Sequence, residues 1–81
     1  MFRKLVKTEE VEFEGQRYTL RYFRQKTIRG AHRFSCELML SADRIILDDD
    51  SMPSLESKVE RLVPAMLYSR LLAGGRRSVA A

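Results

Sequence analysis

"EVEFEGQRYTLRYF", residues 10–23, reads as two strands and the turn that joins them. In the first strand Val11 and Phe13 alternate with Glu10, Glu12 and Glu14. In the second, Tyr18, Leu20 and Tyr22 alternate with Arg17, Thr19 and Arg21. A side-chain period of two puts the apolar set on one face of a sheet and the charged set on the other. With Gly15-Gln16 at the centre of a type II′ turn, Phe13 faces Tyr18, Val11 faces Leu20, Glu14 faces Arg17 and Glu10 faces Arg21. A slip of one residue would carry Val11 and Phe13 to the charged face, so the pattern disfavours it.

The same logic extends downstream. "RFSCELML", residues 33–40, places Phe34, Cys36, Leu38 and Leu40 on the apolar face. A three-residue loop, Ile28-Arg29-Gly30, needs a left-handed third residue, which Gly30 supplies. Tyr22 then faces Cys36, Leu20 faces Leu38, and Arg21 falls between Glu10 and Glu37. "RIILD", residues 44–48, gives a short fourth strand. Ala42-Asp43 as its turn sets Leu40 against Ile45, Leu38 against Leu47 and Met39 beside Ile46.

After "DDDSMP" the period becomes helical. Leu55, Val59, Leu62, Val63, Met66, Leu67 and Leu71 form one stripe at steps of three and four. Asp50 or Ser51 suits the cap, and Pro53 the first turn. Pro64 removes a backbone donor, which predicts a kink or two short helices within about 20 residues. The fold class is α+β: a four-stranded antiparallel meander with one long C-terminal helix on the Tyr18/Leu20/Leu38/Leu40 face. Residues 1–73 form the domain, and Gly74-Gly75 opens a mobile tail, 74–81.

The totals constrain function. An 81-residue chain builds one small domain with little room for both a core and a deep pocket. One Cys rules out an internal disulfide and points to a reducing, cytoplasmic setting. No long apolar run spans a membrane, and the N-terminal residues do not read as a signal peptide. The net charge of +4 is unevenly spread, with four Glu in residues 9–14 and six Arg or Lys in residues 17–33.

No catalytic, cofactor or metal constellation emerges. Cys36 and His32 lie four residues apart on one strand, about 13 Å, beyond proton-transfer reach. Asp48, Asp49 and Asp50 fit no calcium loop and suit the approach to a helix. P-loop, dinucleotide-binding, triad and zinc patterns are missing from the sequence. The expected protein is therefore non-catalytic and needs no cofactor, small-molecule ligand or membrane.

Two surfaces remain. Phe23, Met39 and Ile46 point away from the helix and form a candidate patch for self-association or another protein. Phe2, Leu5 and Val6 are alternative covers for it. Tyr68 and Arg70 flank the helical stripe and suit an interface. The alternative is nucleic-acid binding by Arg24, Lys26, Arg29, His32 and Arg33, which cluster at the tip of the second hairpin beyond the expected ion pairs. Arg17 and Arg21, by contrast, read as structural partners of glutamates. The leading reading is a small self-associating interaction module.

Overall fold

The computed structural model of the chain describes residues 3–40 and 43–80, with 73–80 described by backbone alone. Four antiparallel strands form one open sheet in the order β1-β2-β3-β4: β1 Arg3–Phe13, β2 Gln16–Lys26, β3 His32–Met39 and β4 Arg44–Asp49. A single helix, α1, follows over Met52–Ala80. This is the expected ββββα arrangement.

The second hairpin has the expected register, with Leu20 opposite Leu38, Arg21 opposite Glu37 and Tyr22 opposite Cys36. Gly30 takes a φ of 88°, and its N–H donates to the Thr27 carbonyl at 3.0 Å. That left-handed residue closes the three-residue loop where a side chain would be strained.

The outer hairpins differ from expectation by two residues each. In the first, Phe13 pairs with Gln16, Val11 with Tyr18 and Glu12 with Arg17. The turn centre is Glu14-Gly15, with φ values of 52° and 78°. Both are positive, as a type I′ turn requires, and this turn matches the twist of the flanking strands. In the last hairpin Leu38 pairs with Ile45, Cys36 with Leu47, and Met39 with Arg44. Residues 41–42 lie outside the described residues, and with them part of the expected Ala42-Asp43 turn. Both shifts are even, so every side chain keeps its face.

β1 begins seven residues earlier than the alternation indicates. A bulge between Leu5 and Lys7 hides the pattern. Downstream of it odd-numbered residues face α1; upstream, Arg3 and Leu5 face away. Bulges re-aim side chains in this way.

Ser51 caps α1: its hydroxyl accepts from the Ser54 N–H at 3.4 Å, and its carbonyl from the Leu55 N–H at 3.0 Å. The helix is one element with Pro64 inside it, not two. Its bounds take in Gly74-Gly75, where the sequence predicts a tail; Ala81 lies outside the described residues. Leu55, Val59, Val63 and Leu67 are buried against Leu20, Tyr22, Cys36 and Leu38. Leu62 and Met66 are half-buried and Leu71 is exposed, so the inward stripe has a strict period of four. Among the described residues, no helix is long and apolar enough to cross a membrane.

Burial also disposes of the thiol. Cys36 is 1% exposed, and burial pushes its thiol up to about 11. Burial raises the neighbouring Tyr22 hydroxyl as well. At pH 8 a maleimide or disulfide reagent should modify folded Cys36 at least about 100-fold more slowly than the urea-unfolded chain. Modification at the unfolded rate would contradict this placement. The raised thiol stabilises the fold below about pH 8.5, and that contribution is lost as pH climbs towards about 11.

Candidate functional site

α1 packs on β3 and β4. Adjacent strands lie about 4.8 Å apart, so a helix about 10 Å wide covers two strands. The helix-facing side of β1 and the outer half of β2 is left as the floor of a groove. It has a volume of about 400 Å³ and a floor of Val11, Phe13, Leu20 and Tyr22. Val59, Val63, Pro64 and Leu67 of α1 form its wall.

Three glutamates on the helix-facing side rim this groove: Glu9 from β1, Glu56 and Glu60 from α1. Glu12 borders it, but alternation turns its side chain to the opposite face beside Arg17. One cation answers the three. Lys7 Nζ lies 2.5 Å from Glu56 and 3.5 Å from Glu9, and sits over the Tyr22 ring at 4.8 Å. The Glu56 hydrogen bond raises the Lys7 pKa, so the amine is held charged. Lys7 thereby ties β1 to α1 at one end of the groove. Among the described residues, Glu60 has no ion-pair partner. The arrangement offers an apolar trough with a surplus of negative charge, suited to an apolar segment that carries cations.

The opposite face of the sheet is different from its expected form. Phe23 is only 8% exposed. Arg3, turned to this side by the bulge, lies over its ring at 4.0 Å and reaches across β2 to Glu37 at 2.6 Å. Glu37 is 1% exposed, with Arg44 at 3.7 Å as a second partner. Arg21 sits between Thr8 and Glu37 rather than between Glu10 and Glu37, and one of its nitrogens donates to Met39 Sδ at 3.5 Å. Ile46 is exposed but lies opposite Glu37, not beside Met39. So Phe23, Met39 and Ile46 do not join into one apolar patch. Guanidinium groups and a buried carboxylate occupy the space between them. Phe2 lies outside the described residues, and Leu5 and Val6 are about half exposed.

The remaining sequence-predicted residues divide. Arg33 is taken up by Asp48 at 2.8 Å and by Asp50, which leaves it structural. Hydrogen bonding to Asp48 raises its pKa further. Arg24, Lys26, Arg29 and His32 are exposed at the β2–β3 end, as predicted. Arg70 is bound to Asp43 at 3.1 Å, whereas Tyr68 is exposed beside Leu71 and Leu72. Sequence reasoning missed the groove. Its signal was polar Lys7 and Glu9 at inward positions of an edge strand, readable only once the bulge is known.

The sequence matches no family model, and neither a curated protein nor a solved structure is significantly similar to it.

Proposed function

We propose that this chain is a non-catalytic, self-associating interaction module in which two copies each lay the C-terminal part of α1 into the other's groove. The observation that carries this reading is the open groove between β1 and α1: an apolar trough of about 400 Å³ rimmed by three glutamates and one lysine. A helix of matching chemistry is at hand in the same chain. Tyr68, Leu71 and Leu72 are exposed on α1, and residues 61–81 hold four Arg and no acid. The lengths also fit. From Leu71 to Ala80 α1 runs about 14 Å, and from Glu56 to Leu67 the groove wall runs about 16 Å. Reciprocal exchange of this kind is isologous and closes at two copies. The single buried thiol supports a cytoplasmic setting for the module.

Sedimentation equilibrium from about 1 to 100 μM tests the reading. A dimer is expected, weakened at least about tenfold by Leu72→Asp and by Glu9→Lys with Glu60→Lys. A wild-type chain that stays monomeric at every concentration, or a dimer indifferent to both variants, would overturn it.

A further inference from the structure

We propose a second, independent binding site: the helix-facing side of the β2–β3 hairpin end, with Lys4 of β1, binds the phosphate backbone of duplex DNA. The register brings the cations together. Lys4 pairs directly with Arg24, and Lys26 pairs directly with His32. Arg24, Lys26 and His32 share one face because they are separated by even steps, and the bulge in β1 brings Lys4 to that face too. Arg29 stands in the connecting loop.

Two features make this more than a solvated strand end. First, like charges placed directly opposite one another destabilise a sheet. Lys4–Arg24 is such a pair. Elsewhere on the sheet the chain answers its arginines with carboxylates, as at Arg17–Glu10, Arg3–Glu37 and Arg33–Asp48. Among the described residues, none of Lys4, Arg24, Lys26, Arg29 or His32 has an ion-pair partner. The nearby acid on this face, Asp49 opposite Phe34, is held by Lys58 at 3.3 Å and by the Ser54 hydroxyl. Second, the tip is braced. The Thr27 N–H donates to the Ala31 carbonyl at 2.8 Å, and the Ala31 N–H donates to Thr27 Oγ1 at 3.2 Å. The cations are thus presented on a preformed ribbon.

The ligand class follows from shape. A two-stranded ribbon fits the major groove of B-DNA and sets its cations against phosphates. The aromatic residues of this face nearest the hairpin end, Phe34 and the buried Tyr22, are packed in or against the core, which disfavours stacking of unpaired bases. The exposed Ile28 at the tip is a single apolar side chain, too little for a membrane anchor.

The experiment is a fluorescence-anisotropy titration of the full chain with a labelled 20-base-pair duplex at 50 and 200 mM NaCl. Arms with the separated strand and with phosphatidylserine vesicles run beside it. Four phosphate contacts predict that duplex affinity falls about 100-fold between the two salt concentrations. Arg24→Gln with Lys26→Gln should lower affinity at 50 mM at least about tenfold and reduce the salt slope by about two. The same variant should melt no lower than wild type, because it relieves a like-charge pair. Arg61→Gln, exposed on α1, should leave binding unchanged. No duplex binding at 50 mM, equal loss with Arg61→Gln, preference for the single strand, or binding to vesicles alone would each overturn the proposal.

Discussion

Leu55→Ala is expected to remove about 3–5 kcal/mol of folding stability, the typical loss for a fully buried leucine with incomplete collapse of the cavity. Leu55 is 0% exposed and stands in the first full turn of α1. It belongs to the same buried cluster as Tyr22, Cys36 and Leu38, so the packing of helix on sheet depends on it. A chain of this size holds roughly 4–12 kcal/mol in total. The loss therefore lowers the melting temperature by at least about 12 °C, or leaves the chain unfolded at 37 °C. Urea or thermal unfolding at fixed protein concentration measures it. Ile46→Ala, 51% exposed on β4 and outside the proposed interface, should cost less than about 1 kcal/mol in the same assay. A loss below about 1 kcal/mol at Leu55 would mean that α1 does not pack as described.

The second large effect belongs to the face without a helix. Glu37 is the one buried charged residue among those described, and its carboxylate receives Arg3 at 2.6 Å with Arg44 at 3.7 Å. Arg3 and Arg44 remain partly exposed, with side chains 41% and 56% accessible, so water tempers the loss when the carboxylate goes. Glu37→Ala is expected to cost about 2–3 kcal/mol, from charge-assisted hydrogen bonds and lost packing together. Arg3→Ala should cost about half as much and uncover the Phe23 ring. The two losses should not add, because each variant already breaks the same contact. A double-mutant cycle in urea checks this, and strict additivity or a Glu37→Ala loss below about 0.5 kcal/mol would contradict the clamp.

These two residues also mark where the sequence was legible and where it was not. The inward positions Leu20, Tyr22, Leu38, Leu55 and Val59 follow from periods of two and four, because burial on one face imposes the pattern. Register in the outer hairpins does not follow. A two-residue shift preserves every face, so Val11 opposite Leu20 and Val11 opposite Tyr18 satisfy alternation equally. The backbone of Glu14 and Gly15 decides between them, and a non-glycine residue at φ 52° carries little compositional signal. Phe23 illustrates a second limit. Its outward direction was correct, but Arg3 covers it from two strands' width away, after a bulge that no alternation reveals.

The same limit applies to the candidate sites. Arg24, Lys26, Arg29 and His32 were recognisable as unanswered cations because local hairpin geometry alone removes them from the glutamate ladder. Arg33 escaped that logic, since Asp48 and Asp50 reach it from β4 and the segment after it. The groove depends on which two strands α1 covers, a tertiary choice. Lys7 and Glu9 at inward positions are tolerated because no helix of the same chain covers them. In the proposed dimer a partner helix with the opposite charge balance covers the half-buried Val11 and Phe13 of the groove floor.

That contact is tested most directly by charge exchange between two separately purified variants. One carries Glu9→Lys and Glu60→Lys, reversing the groove rim. The other carries Arg76→Glu and Arg77→Glu, reversing the charge of the C-terminal segment. Each alone should sediment as a monomer at 50 μM, and an equimolar mixture should recover the dimer, since one exchanged contact keeps the native polarity and the other is rebuilt with reversed polarity. A mixture that stays monomeric while wild type dimerises, or variants that dimerise as well alone as wild type, would contradict helix exchange into the groove.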